Sequence, residues 1–363
     1  MTKKVLITGG AGFIGSHTAD ALSKLGYKIR ILDILEPPVH NYRWPDYILN
    51  KGYELIKGDV SDKKTLKKAL KGVNYIYHFA AYQDQRLDFS KFFKTNVVST
   101  ALLYEIILEE KLPVKKIILA SSQFVYGDGC HYCFSDKKNI FYPELRTLKQ
   151  LENKQWNILC PDRKPAKFIP FKENQLLNPS NSYGLSKMAL EQIGLKLGKT
   201  YNIPTVVLRY SIVQGARQSP KNLYSGALRI FITQALKNKS ITIYEDGNQL
   251  RDFVNIKDIV ATNILVLKNK KVNFGVFNVG GGRSYKILDF AKSVKKITKS
   301  NSPIVVGGFR RTDSRHAISD ISKIKKLGWS PKRTPKDSIK EYLNWYLLHQ
   351  SHGQKNSNEI KKY

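Results

Sequence analysis

The chain is poor in cysteine, in acid and in long apolar runs. Three cysteines in 363 residues do not make a disulfide framework, so the fold has to rest on a buried apolar core. No apolar stretch approaches the roughly 20 residues that cross a bilayer. The opening MTKKVLITGG shows neither the h-region nor the small-residue cleavage site of a secretory leader. These absences indicate a globular, cytoplasmic protein with no membrane partner. No repeat of solenoid period occurs. Acid is the scarcest class for a chain of this size: 29 Asp and Glu face 61 Lys and Arg, a net charge of +32. Such a surface attracts anions in general, from nucleic acid to small phosphorylated substrates. The basic runs KKTLKKALKG from 63, KSVKKITKS from 292 and SKIKKLGWSPKRTPK from 322 do not concentrate the aromatics of a single-strand binder. They read as solvated helix faces, and nucleic acid is not the expected partner.

What is present is alternation. Short apolar strands (VLIT near 5, IRILD near 29, YELIKGDV at 53, NYIYHFA at 74, KKIILASS at 115, PTVVLRY at 204) are separated by stretches of helical period such as IGSHTADALSKLG from 14. Buried β-branched strands alternating with helices specify an α/β fold with a Rossmann-type, doubly wound parallel sheet. The alternation occupies 1–210 and is broken by an insertion at about 128–178. It loosens over 211–348 and ends in a polar tail, 349–363.

Three groups of residues carry chemistry. GGAGFIG follows the first strand and opens a helix. Gly9, Gly12 and Gly15 permit a tight turn and close approach of a pyrophosphate to the helix N-terminus. Asp33 ends the second strand, where a carboxylate accepts the ribose hydroxyls of NAD and repels the 2′-phosphate of NADP. Asp59 ends the third, within reach of an adenine. Tyr183 and Lys187 stand four residues apart on one helix face, where an ammonium favours the phenolate of a neighbouring tyrosine. Ser121 and Ser122 close the KKIILASS strand.

GGAGFIGSH, Asp33, GDV, HFAA at 78–81, NVVST at 96–100, SSxxVYG, YGLSK and RDFVNIKDI together resemble the extended short-chain dehydrogenase/reductase family, the NAD-dependent nucleotide-sugar epimerases and dehydratases. The resemblance covers nearly the whole chain. It implies a Rossmann domain carrying NAD, with a smaller C-terminal α/β domain over 211–348 closing on a nucleoside-diphosphate sugar. It adds Phe13, Ile14, Val60, Ala80, Ala81 and Asn96 to the cofactor contacts, beside Tyr183 and Lys187. It implies Ser122, Tyr183 and Lys187 as the catalytic set and a homodimer built through two helices per subunit. Gln123, Arg217, Arg251 and Arg310 match positions that meet the substrate, while Asp313 and Arg315 read as structural partners in the same turn. His78 and His316 are given no acid–base work.

In the dehydratases of this family two carboxylates stand before VYG and carry protons beyond C4. Here Gln123 and Phe124 occupy those places, so water elimination has no carrier. The remaining chemistry is epimerisation at C4 through a transient 4-keto sugar. Ile212 replaces an Asn that touches substrate in many relatives, which leaves C2 inversion as an alternative. A non-catalytic NAD-binding regulator is a third reading, opposed by the intact Tyr183 and Lys187. The insertion, with CHYC at 130–133 and CP at 160–161, resembles a branch that includes dTDP-L-rhamnose 4-epimerases and often carries two CxxC pairs. Its second pair is broken here. Cys130, Cys133 and Cys160 with His131 or Asp162 could hold zinc, but the expectation is a metal-free loop.

Overall fold

A computed structural model describes residues 3–83, 86–222 and 226–359, with side chains to 349. Seven strands form one sheet: β1 (Lys4–Thr8), β2 (Lys28–Asp33), β3 (Glu54–Lys57), β4 (Tyr75–His78), β5 (Lys116–Ser122), β6 (Thr205–Tyr210) and β7 (Val276–Val279). Their order is β7-β6-β5-β4-β1-β2-β3 and every pairing is parallel. A parallel sheet needs cover on both faces. β5 is accordingly buried at every residue. One face packs under α1 (Phe13–Lys24), where Ala19 and Leu22 join Ile31, Ile118, Ile259 and Val266 in one apolar cluster. The other face packs under the helices Lys63–Leu70 and Ser99–Glu109 and under α2 (Ser182–Thr200), through Leu66, Leu103, Ile107 and Leu190. The chain winds outward from β1 in both directions. The crevice over the carboxyl ends of β1 and β4 is therefore the topological switch point, where ligands of such sheets bind.

The second unit is smaller. The strand Leu250–Asn255 pairs parallel with Ile212–Gln214 and antiparallel with Ser284–Lys286. Phe231, Phe253, Phe290 and Tyr342 form its core. The chain does not divide cleanly at 210, however. α3 (Ile256–Lys268) packs beside α1, and β7 completes the first sheet, because an edge strand and a bare sheet face both needed cover that the first 210 residues do not supply. At the far end α4 (Pro335–Glu359) runs on past residue 348 into the segment read from sequence as a polar tail. A helix nucleated by its packed first turns extends at little cost where no proline stops it.

The insertion folds into a small sheet of His131–Cys133, Asp136–Phe141 and Lys167–Phe168. The zinc alternative would need three free thiols, and the structure leaves one. Cys133 and Cys160 are joined by a disulfide, and Cys130 alone is free and buried. His131 packs its ring against Phe168 and Phe141, and an Asp162 oxygen accepts the Lys164 N–H at 3.2 Å. Among the described residues no three His, Cys, Asp or Glu side chains gather as metal ligands, and no helix is long and apolar enough to cross a membrane.

Candidate active site

A cleft of about 930 Å³ runs from the first residues of α1, next to the glycine turn, across the end of β5 into the second unit. At its first end Gly9 has φ of +66°, and a Cβ there would lie 2.7 Å from the Ala80 nitrogen. Only glycine lets the turn lie against the segment after β4. α1 starts with no side-chain cap, which leaves its first N–H groups and its positive dipole end for an anion. Phe13, Ile14 and Ala81 line the cleft beside it, and the Ala80 N–H is held by Thr8 Oγ1 at 3.2 Å. The Asp33 carboxylate accepts the Ala11 N–H at 3.0 Å and the Leu35 N–H at 2.9 Å. Burial pushes its pKa up, and these bonds and His40 pull the other way. The Gly58 N–H reaches the Asp33 carbonyl at 3.0 Å, so Asp59 stands next to that strand end, one of its oxygens taken by the Ser61 N–H at 2.8 Å. Val60 is buried in the core. A glycine turn without a Cβ, an uncapped helix start and a strand-end carboxylate fit a dinucleotide with free ribose hydroxyls.

The middle of the cleft is where β5 and α2 meet. Asn181 caps α2, its side chain accepting the Gly184 N–H at 2.9 Å, and this sets the phase of the helix face. Gly184 itself permits the close approach, since a Cβ there would sit 2.6 Å from the Phe124 oxygen. Tyr183 and Lys187 therefore come against Ser122. Burial pushes the Tyr183 phenol up to about 12, and a hydrogen bond with Ser122 opposes this. Lys187 Nζ donates to the Ala120 carbonyl at 2.8 Å and lies 5.9 Å from the centre of the Tyr183 ring. Burial lowers its ammonium to about 8, against the pull of Glu191. Below them the Ser121 hydroxyl donates to Glu191. Glu191 in turn takes Arg209 Nη2 at 2.6 Å and Nε at 2.9 Å, and Arg209 reaches the Tyr126 hydroxyl at 2.7 Å. Both members of this ion pair are buried. His78 is bonded to Thr8 and Ser99, and burial drops its pKa to about 3, which favours the uncharged imidazole. His316 is likewise lowered to about 3, mainly by burial.

At the other end the lining comes from the second unit: Phe231, Tyr244, Gln249, Arg251, Arg310 and Asp313 among others. Arg310 lies 4.7 Å over the Tyr244 ring. Arg251 gives three N–H bonds to the carbonyls of Leu250, Ser314 and Arg315 at 2.8–3.1 Å, leaving its remaining donors for a ligand. Asp313 has its pKa raised by burial, with Arg251 and Arg310 opposing.

The cleft thus gathers Phe13, Ile14, Ala81, Ser122, Gln123, Tyr183, Lys187, Arg251 and Arg310. Its lining does not include Gly9, Gly12, Gly15, Asp33, Asp59, Val60 or Ala80, nor Arg217 or Asn96. Arg217 pairs with Asp20 at 2.7 Å and covers the Tyr47 ring, because the loop after β6 folds back on α1 and a carboxylate waits there. Asn96 is fully buried and spends its amide on Tyr82 and Ser186, which ties it to α2. Gln123 is 2 % exposed, and neither amide atom has a partner within the protein. The reading of Asp313 as purely structural is incomplete, since it lines the cleft. Glu191 was missed, although its place eight residues after Tyr183 and four after Lys187 puts it on their face.

The sequence pattern of the NAD dependent epimerase/dehydratase family matches residues 5–147 and 160–280. The dTDP-L-rhamnose 4-epimerase of Burkholderia thailandensis is 32% identical over 349 residues, 94% of each chain. Among solved structures, the UDP-glucose 4-epimerase of Thermotoga maritima with UDP-glucose superposes with a TM-score of 0.78 at 27% identity, covering 96% of this chain and 99% of that one. The UDP-glucuronic acid 4-epimerase of Bacillus cereus, in complex with UDP-glucuronic acid and NAD, gives 0.76 at 26% identity, over 94% and 98%. With a glycine turn and strand-end carboxylate that fit NAD, and with the family pattern spanning both units, the chain is an enzyme with NAD as its cofactor and belongs to the NAD dependent epimerase/dehydratase family.

Proposed function

We propose that the protein is a nucleotide-sugar epimerase that inverts C4 of a nucleoside-diphosphate hexose through a transient 4-keto sugar. One observation carries this reading: of the described residues that line the cleft, the only carboxylate is Asp313, and it lies among Arg251 and Arg310. Around Ser122 and Tyr183 the described lining holds the Tyr183 phenol and the Lys187 ammonium and no carboxylate. That suffices to remove and return one hydroxyl proton, and elimination of water needs more. NAD, when bound, supplies the hydride acceptor and donor. Tyr183 takes the carbinol proton and gives it back. Ser122 orients the hydroxyl toward it. Lys187, cationic and behind the ring, favours the phenolate. Arg310 and the remaining donors of Arg251 suit a diphosphate. The relatives at 26–32% identity named above are 4-epimerases of nucleotide sugars, which supports the same reading.

Proton NMR with NAD and a panel of dTDP-, UDP-, GDP- and CDP-sugars, followed to equilibrium, tests the proposal. A C4 epimer without net NADH is expected. Inversion at C2 would favour the second reading, suggested by apolar Ile212 in the cleft wall. No new epimer from any sugar would refute both.

We also propose a homodimer. Phe89, Phe93 and Val98 of the helices spanning 89–109, and Leu185 of α2, are 39–52% exposed. α2 packs beside those helices, so the apolar side chains belong to adjoining elements and suit a second copy presenting the same face. Sedimentation at micromolar concentration should give twice the 41.5 kDa chain mass, and a monomer there rules the dimer out.

A further inference from the structure

The insertion delivers one buried cation to the substrate end of the cleft. Arg146 is 3% exposed. Its Nη1 donates to the Trp156 carbonyl at 2.7 Å, its Nη2 donates to the Asp313 carbonyl at 2.7 Å, and the same Nη2 lies 2.8 Å from Glu245 Oε1. One guanidinium therefore joins three segments: the insertion's own turn at 156–157, the loop 309–315, and the turn at 244–246. The second of these carries Arg310 and Asp313 into the cleft, and the third carries Tyr244.

A parallel bridge runs beside it. Arg315 donates from Nε to Asn157 Oδ1 at 3.0 Å and from Nη1 to Glu245 Oε2 at 2.8 Å, and the Trp156 ring lies 6.1 Å from that of Phe309. Glu245, 3% exposed, is thus held between two guanidiniums. The Cys133–Cys160 disulfide ties the far side of the insertion to its small sheet. The family pattern stops at 147 and resumes at 160, so Trp156 and Asn157 lie in the stretch that it skips. The brace is built partly from this chain's own additional segment.

We infer that Arg146 is a positioning residue for the sugar-nucleotide end of the cleft, and that holding it there is the role of the insertion. Without its fork the Asp313 carbonyl loses a charged donor and Glu245 loses one of its two cations in a buried setting. The loop and the turn are then free to move apart, and Asp313, Arg310 and Tyr244 move with them. Nothing in this path touches the glycine turn or Asp33, so the cofactor end is not involved.

The inference rests on reading Arg310, Asp313 and Tyr244 as substrate contacts, and one measurement separates the two. Uridine and thymidine diphosphate are titrated calorimetrically into the NAD-loaded wild type and into Arg146→Met and Arg146→Lys, with NAD affinity measured on the same proteins. Arg146→Met is expected to weaken nucleoside-diphosphate binding by about 10–100-fold, the scale of a lost charged hydrogen bond in a buried site, with NAD affinity unchanged. Arg146→Lys keeps the charge beside Glu245 but cannot fork to both carbonyls, so it should fall between Arg146→Met and the wild type; it also gives a reading if Arg146→Met does not fold. Wild-type affinity for the diphosphate in the folded variants overturns the inference and leaves the proposed function standing. Equal weakening of diphosphate and NAD overturns it too, by showing general damage. A wild type that binds neither diphosphate removes the reading on which it rests.

Discussion

Tyr183→Phe is expected to lower epimerisation by about 10²–10⁴-fold, the range for a positioned acid–base group, while NAD stays bound. The phenol is hydrogen-bonded to Ser122 and is the group proposed to exchange the carbinol proton. His78 is bonded to Thr8 and Ser99 and lowered to about 3 by burial, and among the described residues Asp313 is the only carboxylate in the cleft wall. Burial alone would disable Tyr183, since it pushes the phenol up to about 12. The Ser122 hydrogen bond opposes this, and the proposed part of Lys187 is to favour the phenolate further. Its ammonium is 5.9 Å from the ring centre and buried with it, and a positive nicotinamide adds to the same field. Phenylalanine fills the same volume, so packing against Phe124, whose ring meets that of Tyr183 edge-on at 6.2 Å, is kept. The loss should appear in kcat with NAD content unchanged. A variant that retains most of its turnover would place the base elsewhere.

The second large effect is on stability. Glu191→Ala should cost about 3–5 kcal/mol, the cost of leaving one member of a buried ion pair alone. The Glu191 side chain is 0% exposed and that of Arg209 4%. Burial would lower the Arg209 pKa, but Glu191 outweighs it and the guanidinium is held above its ordinary value. Alanine would strand that cation between β6 and α2 and release Ser121 as well. The urea midpoint measures the loss. Glu191→Leu with Arg209→Met, which removes both charges, should recover a large part of it, because two apolar side chains of similar volume need no desolvation. If Glu191→Ala alone unfolds at the wild-type midpoint, the pair does not support the sheet.

Local physics made much of this legible from residues alone. GGAGFIG, Asp33 and the strand pattern need only the next few residues to be understood: a turn without Cβ atoms, a helix start and a strand end. Tyr183 and Lys187 were readable because four residues on a helix make one face. Arg217 and Asn96 were not. Arg217 meets Asp20, 197 residues away, and Asn96 meets Ser186, 90 residues away; matching a motif position does not reveal which distant partner claims the side chain. The same holds for Cys133 and Cys160, whose thiols meet across the insertion.

By itself, the sequence determined the α/β class, the NAD turn, the placing of Tyr183 and Lys187 on one helix face, and the absence of carboxylates before VYG, since each is set by periodicity or short spacing. Tertiary structure alone decided that Asp313 is the single acid among the described residues of the cleft wall, that β7 returns to close the first sheet, and that Arg146 links the insertion to the loop 309–315 and the turn 244–246. Those outcomes depend on which buried donors and acceptors find one another across long separations, and a buried polar group takes the partner that folding brings to it.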